Sequence, residues 1–385
     1  MSSAAAADSV RRAPGRARLL IVGPLPPPIG GVETFTQALL ESNALAEFEV
    51  EHCDITKGRA KETQGRFDLA NFAWAARHFT RLQRQLARFR PDVVYLPIAG
   101  TWSGVLRDLT LATLAKRSGA RVLGHQHDGE FASVLAHRGP LAGPVRNGLR
   151  QFDRMLVLGE RWRTLLTDYG LTIPIDLCPS TYRREVVERA RGFTRRFGDG
   201  APARGLFVGQ LGERKGVPDL LQAIARLKQR GVAMPFAFVG PFETGAGREK
   251  VVATRRELGL ESDTELTGTL QGEPLYQRFA TSDLFVLPSY TEGLPAVLYE
   301  AGAFQLPVIT TPVGSIPDFI EPGRNGLLVP PGDVEALAGA LARLAGDAEL
   351  RRTLGTQLAA DVASYHPDRI AARVADAVRA VLAGA

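Results

Sequence analysis

A chain of 385 residues with 45% hydrophobic residues is longer than one ordinary domain, so two domains are expected. Its formal charge of +6 comes without any nucleic-acid motif or interleaving of basic with aromatic residues, and no apolar run reaches the ~20 residues that span a bilayer, which excludes a nucleic-acid binder and a membrane-spanning protein. The two cysteines, Cys53 and Cys178, fall in predicted strands, which excludes a disulfide framework and points to a reducing, cytoplasmic compartment; no Cys/His cluster has zinc-ligand spacing.

Residues 1–16 lack an apolar segment and read as a disordered tail, not a signal peptide. From residue 17 onward, apolar runs alternate with helical patterns. Strands are predicted near 17–24, 48–55, 91–97, 121–127, 153–159 and 175–179, then near 205–211, 235–241, 264–270, 283–289, 307–312 and 326–330. Strands alternating with helices form parallel sheets covered on both faces. Two successive sets predict an α/β protein of two Rossmann-like, doubly wound domains facing a cleft. The expected division is 17–187, a polar, glycine-rich, hinge-bearing linker at 188–204, and 205–365. Residues 366–385 form an amphipathic helix that can pack back on the first domain; Ile370, Val374, Ala377, Val378 and Val381 make its apolar stripe. Ligands of such sheets bind beyond the carboxyl ends of the strands.

After the first strand, three prolines lead to Gly30 and Gly31, just before a helix. Glycines let backbone N–H groups approach a phosphate, although a packing turn would also use them. The dinucleotide fingerprint G-x-G-x-x-G is missing, which disfavours a dehydrogenase. Residues 72–90 read as an amphipathic helix, with Phe72, Ala75, Phe79, Leu82, Leu86 and Phe89 on one side and Arg77, Arg81, Arg84 and Arg88 on another. The apolar stripe is expected in the core. The arginine face suits weak contact with an anionic membrane. A further arginine series follows at 146, 150 and 154. The fourth strand ends in His125-Gln126-His127-Asp128, where alternation puts both imidazoles on one face. A neutral His127 can donate to a ligand hydroxyl or support a reacting face, and a metal pair is the alternative.

In the second half, Gln210, Arg214, Lys215 and Gly216 follow a strand and precede a helix, the layout of an anion cradle. Later, a strand ends at Leu287, a loop carries Glu292, Gly293 and Leu294, and Pro295 suits the first turn of a helix that bears Glu300. The helix N-terminus is a seat for a diphosphate, flanked by two carboxylates up to ~12 Å apart that can accept from hydroxyl pairs. Two solvated glutamates remain the bland alternative.

The Glu292-x7-Glu300 spacing, with Gly293, Pro295 and Ala301, resembles the signature of retaining glycosyltransferases of the GT-B fold, family 4, the group 1 type. The flanking SDLFVLPS and LPVITTPVGSIPDFIEPGRNGLLVPPGD, and the Gly30-Gly31-Val32-Glu33 loop, are similar to the same family. The resemblance implies an acceptor-binding first domain and a nucleotide-sugar-binding second one. It implies that Glu292 touches the donor hexose and Glu300 the ribose, and that Lys215 binds the diphosphate. Gly30, Gly31, Gly293 and Leu294 line the donor, and His127 faces the cleft. Glu292, His127 and Lys215 are the expected catalytic residues.

The family has arginine where this chain has Gln210, and Arg214 is the candidate substitute. Ala303-Phe304-Gln305 and Val313-Gly314-Ser315 also depart from the pattern, near the family's sugar pocket, and Ser180-Thr181-Tyr182 replaces an Asn-Gly. The implied reaction moves a hexose from a UDP- or GDP-linked donor to a glycan or lipid-linked acceptor. It needs no metal and no cofactor, and serves bacterial surface polysaccharide or glycolipid synthesis in the cytoplasm or at the inner face of the membrane. A nucleotide-sugar epimerase and a non-catalytic binding relative remain the rivals.

Overall fold

Each apolar run becomes a parallel strand, and the helices between them cover both faces. The structure, a computed structural model, describes residues 15–27, 30–56, 69–137, 139–195, 197 and 201–384, with the side chains of 69–76 excepted. The tail expected at 1–16 therefore lies outside the described residues up to position 14, as do parts of the 188–204 segment and Phe72 and Ala75 of the helix stripe. The first half runs β1 (Arg18–Gly23), α1 (Gly31–Glu41), β2 (Glu49–Asp54), α2 (Leu69–Phe89), β3 (Val93–Ile98), α3 (Trp102–Arg117), β4 (Arg121–Gln126), α4 (Phe131–Ala136), α5 (Ala142–Leu149), β5 (Arg154–Val157), α6 (Glu160–Asp168), β6 (Ile175–Leu177) and α7 (Arg184–Ala190). The second runs β7 (Gly205–Val208), α8 (Val217–Gln229), β8 (Phe236–Val239), α9 (Gly245–Glu257), β9 (Thr264–Gly268), α10 (Glu273–Thr281), β10 (Leu284–Leu287), α11 (Ala296–Ala303), β11 (Val308–Thr310), β12 (Leu327–Leu328), α12 (Val334–Gly346), α13 (Ala348–Val362) and α14 (Pro367–Ala383).

The sheets have the orders β2-β1-β3-β4-β5-β6 and β12-β11-β10-β7-β8-β9, and all their pairings are parallel. In both sheets the first strand lies next to a crossover, so the order reverses beside β1 and beside β7. Such switch points open a crevice at the carboxyl ends. Central strands are buried along their whole length, as in β3 and β10, because helices close both sides.

The last helix does not stay with the second half. Ile370, Val374, Val378 and Val381 of α14 join Leu19, Ile21, Phe35, Tyr95 and Leu123 in one buried cluster on the first sheet. Asp368 fixes its start: the carboxylate accepts from Ser42 Oγ at 2.7 Å and from the Arg184 guanidinium at 2.6 and 3.0 Å. The chain between the halves is anchored as well. Arg195 is buried and donates to the carbonyls of Phe279, Ser282 and Phe304, which satisfies the ends of α10 and α11.

In α2, Leu82, Leu86 and Phe89 are core, while Arg77, Arg81, Arg84 and Arg88 are exposed. The second arginine series does not form a face. Arg146 lies over the Tyr169 ring, Arg150 donates to the Gly170 carbonyl, and Arg154 is a buried strand residue paired with Asp176.

Candidate active site

The carboxyl ends of strands from both sheets meet at a cleft of about 570 Å³. Gly30, Gly31, His127, Gln210, Arg214, Lys215, Glu292, Gly293, Leu294 and Glu300 all line it. The residues selected from the sequence thus come together from four strand-end loops and helix α11.

On the second half, β10 leads to a loop in which Glu292 is only 8% exposed. Its Oε1 accepts from Lys215 Nζ at 2.5 Å and from Ser289 Oγ at 2.6 Å. Pro295 is the N-cap of α11 and not part of its first turn, so the first helical N–H belongs to Ala296. The proline ring still forfeits no helical hydrogen bond there. Lys215 precedes Gly216, which caps α8 with φ +68° and whose added Cβ would lie 2.1 Å from the Pro288 carbonyl oxygen. Only glycine fits, so the lysine loop is locked against the β10 loop.

Gln210, the departure from the family pattern, has a partner that explains it. Its Oε1 accepts from Arg214 Nη2 at 3.0 Å, and Arg214 Nε donates to Glu243 Oε1 at 3.3 Å. The amide oxygen points the Arg214 guanidinium along the cleft wall, where a cation at position 210 would repel it.

Glu300, 6% exposed, is held by a residue not selected from the sequence. Arg183 Nε and Nη2 donate to its two oxygens at 2.7 and 2.9 Å, a bidentate pair. Arg183 comes from the first half, just before α7, and its guanidinium lies over the Tyr276 ring at 5.6 Å. It follows directly on Ser180-Thr181-Tyr182, so the unusual tripeptide marked the right place without naming the residue. Ser289 and Tyr95 were also not selected. Ser289 is the one serine three positions before Glu292, a spacing that could have flagged it, while Tyr95 sits inside an apolar run that reads only as core.

On the first half, Gly30 caps α1 and Gly31 begins it. A Cβ on Gly31 would meet nothing within 4 Å, so packing does not demand the glycine and the space above it is open. His127 is half-buried beside His125, ring centroids 3.9 Å apart, and Phe35 packs edge-on to both at 4.7 and 4.8 Å. Burial pushes His125 down to about 3, and burial plus the neighbouring His125 pushes His127 well below the usual range, so both rings are neutral. His125 cannot serve a metal: its Nε2 bonds the Cys178 carbonyl at 2.9 Å and its Nδ1 bonds the Tyr95 hydroxyl at 2.8 Å.

The two rims touch through backbone. A Cβ on Gly129 would lie 2.2 Å from the Glu292 carbonyl oxygen, and one on Gly293 would lie 2.1 Å from that of His127. The expectation that 303–305 sits by the sugar pocket is not met. Phe304 packs against Phe193 and Phe279, and Gln305 takes a left-handed turn, φ +56°, after α11, where helices commonly end on glycine. Neither residue lines the cleft.

Two facing, doubly wound halves with charged loops at their switch points define the GT-B architecture of glycosyltransferases. Residues 199–359 match the family Glycosyl transferases group 1. The chain is 30% identical over 255 residues, 63% of its length and 58% of the relative's, to the putative colanic acid biosynthesis glycosyltransferase WcaL of Salmonella typhimurium. It is 35% identical over 156 residues, 39% of its length and 38% of the relative's, to the amylovoran biosynthesis glycosyltransferase AmsK of Erwinia amylovora. The matches thus span less than two thirds of these relatives. Among solved structures, sucrose-phosphate synthase from Thermosynechococcus elongatus aligns over 96% of the chain and 100% of its own, with TM-score 0.73 and 19% identity. Anabaena HepE in complex with UDP and glucose aligns over 94% and 99%, with TM-score 0.69 and 17% identity. These likenesses establish the fold.

Proposed function

We propose that this protein is a retaining, metal-independent hexosyltransferase of family 4. It takes a hexose from a UDP- or GDP-linked donor and passes it to a glycan or lipid-linked acceptor in surface polysaccharide or glycolipid synthesis. The observation that carries the reading is the buried Lys215–Glu292 pair, pressed against the His127 loop of the opposite half. Donor diphosphate is expected at the N-termini of α8 and α11, where free N–H groups and Lys215 meet its charge. As the glycosidic bond breaks, that charge grows, and Lys215 and Arg214 are the cations placed to stabilise it. Glu292 orients the hexose, Glu300 the ribose, and the donor's own β-phosphate oxygen takes the acceptor proton. With cations supplied by side chains, no metal or cofactor is required. The relatives' polysaccharide names support the acceptor class.

The test is transfer from a panel of UDP- and GDP-hexoses to undecaprenyl-linked sugars and free glycans, with the anomer read by NMR. A product keeping the donor's anomeric configuration, formed equally with millimolar EDTA, is expected. Inverted product, or loss with chelator and rescue by magnesium, overturns the mechanism. Epimerised donor without acceptor would favour an epimerase.

Weak membrane contact belongs to the same proposal. No helix among the described residues is long and apolar enough to cross a membrane, so contact rests on the exposed Arg77, Arg81 and Arg84. Binding to anionic vesicles should fade with salt and vanish on charge reversal of these three. Equal binding to neutral vesicles counts against it.

A further inference from the structure

The polar chain behind His127 runs in one direction, and that direction decides what His127 offers the cleft. Its inner end is the Cys178 carbonyl, which can only accept, so the 2.9 Å contact puts a hydrogen on His125 Nε2. The buried ring is neutral, so His125 Nδ1 is bare and accepts from the Tyr95 hydroxyl at 2.8 Å. Tyr95 has then used its single hydrogen. Its oxygen can only accept in the 3.2 Å contact with His127 Nε2, so that nitrogen carries a hydrogen too. A neutral His127 protonated on Nε2 has a bare Nδ1. The rings are clamped between each other and Phe35, which opposes the flip that would exchange the two nitrogens.

We propose that Tyr95 and His125 are positioning residues that hold His127 as its Nε2–H tautomer, so that Nδ1 accepts a hydrogen bond from a hydroxyl of the sugar bound in the cleft. The sugar clause rests on the function proposed above; the tautomer does not. The direction is the reverse of the donor role expected from the sequence. An imidazole that only accepts is satisfied by a hydroxyl and not by a fluorine, whereas a donating imidazole tolerates fluorine. The relay therefore makes one sugar hydroxyl obligatory.

The first measurement needs no activity. In the full chain labelled with ¹⁵N-histidine, two-bond ¹H–¹⁵N correlations should show His127 and His125 each as a single Nε2–H tautomer, assigned with His127→Gln and His125→Gln. His127 protonated on Nδ1 in the wild type overturns the proposal, whatever the variants do. In Tyr95→Phe, His127 should become a tautomer mixture; an unchanged single tautomer overturns the part given to Tyr95. The second measurement uses the nucleotide-hexose selected by the transfer assay and its monofluoro analogues. One analogue should lose about tenfold or more in kcat/KM with the wild type and clearly less with Tyr95→Phe, while UDP or GDP affinity stays equal. Equal losses in both enzymes refute the acceptor role. If the wild type transfers no sugar yet shows the Nε2–H tautomer, the proposed function fails and the relay stands.

Discussion

The two rims of the cleft are built on similar parallel sheets but differ in how their polar groups are held. The second-half rim is ionic: Lys215–Glu292 and Arg214–Glu243 lie within it, and Arg183–Glu300 joins it from across the cleft. The first-half rim carries the acidic Glu33 and Asp128, and between them it offers neutral groups: the glycines of α1 and the uncharged His127, wired through Tyr95 to the buried His125. A rim that must hold a diphosphate needs fixed charge, and each buried charge then needs a partner while the site is empty. A rim that meets sugar hydroxyls needs direction more than charge, which hydrogen bonds of fixed polarity supply. The pairing of buried charges also means that a ligand must compete with the ion pairs already present.

The contrast breaks most sharply at Lys215. Lys215→Ala strands a buried carboxylate, so it should cost about 3–5 kcal/mol of stability as well as turnover, seen together in thermal melts and steady-state rates. Glu292→Gln keeps the shape and the Ser289 contact. It should cost less stability than Lys215→Ala, because the amide oxygen still accepts from the partly exposed Lys215 ammonium, and still lower kcat by about 10²–10³, because the carboxylate orients the hexose at the reacting centre. If Glu292→Gln turns over normally, the pair is only structural.

Next comes the pair that spans the rims. Glu300→Ala and Arg183→Ala should each weaken nucleotide binding by about 10–100-fold in calorimetry, with a smaller change in turnover at saturation. Arg183→Lys should fail to restore it, because lysine cannot make the bidentate contact. Full rescue by lysine would mean that charge alone matters.

The Gln210–Arg214 contact predicts a smaller effect and a sign. Arg214→Ala should lower kcat about tenfold with nucleotide affinity little changed. Gln210→Arg alone should change kcat less than about threefold, since it places one guanidinium beside another. Gln210→Arg combined with Arg214→Ala should recover most of the loss, because the cation returns by the other route. A double variant as poor as Arg214→Ala alone would remove diphosphate stabilisation from this corner.

The smallest effect lies away from the cleft, at Asp368. The Arg184 guanidinium and the Ser42 hydroxyl beside it hold its carboxyl down to about 2. A lowered folded-state value stabilises only while the group is ionised in the unfolded chain. The contribution is therefore present above about pH 4 and lost as pH falls toward 2. The side chain is 44% exposed, so solvent screening limits this to about 1 kcal/mol or less. Asp368→Asn should lower the wild-type melting temperature slightly at pH 6 and not at pH 2. An equal deficit at both would mean that packing, not charge, docks α14.

Much of this was legible along the chain. The strand runs were bounded closely because parallel strands buried on both faces are nearly continuous apolar stretches. Lys215 and Glu292 stood out because charge beside glycine after a strand end has few structural uses, and Glu300 stood out through its spacing from Glu292, which resembles the family's pattern. Arg183 did not, since one more arginine in a run of charged residues has no local mark. Tyr95 did not, because its hydroxyl is silent in a sequence that reads as β3 core. The arginines at 146, 150 and 154 read as a series along the chain, but a helix end and a strand start between them send each elsewhere.

What the sequence determined by itself was the alternation of strand and helix, the cap and turn residues such as Gly216 and Pro295, and the chemical types at the strand ends. Each of these depends on side chains within a few positions of one another. What only the tertiary structure decided was which of those ends meet. Lys215 reaches Glu292 across 77 residues and Arg183 reaches Glu300 across 117. The hydrogen-bond direction through Tyr95, His125 and Cys178 joins three different strands and their ends. The last helix leaves its own half to cover the first sheet. Such contacts follow from strand order and crossover, which local pattern does not encode, because an apolar stripe fixes that a face is buried and not against which partner.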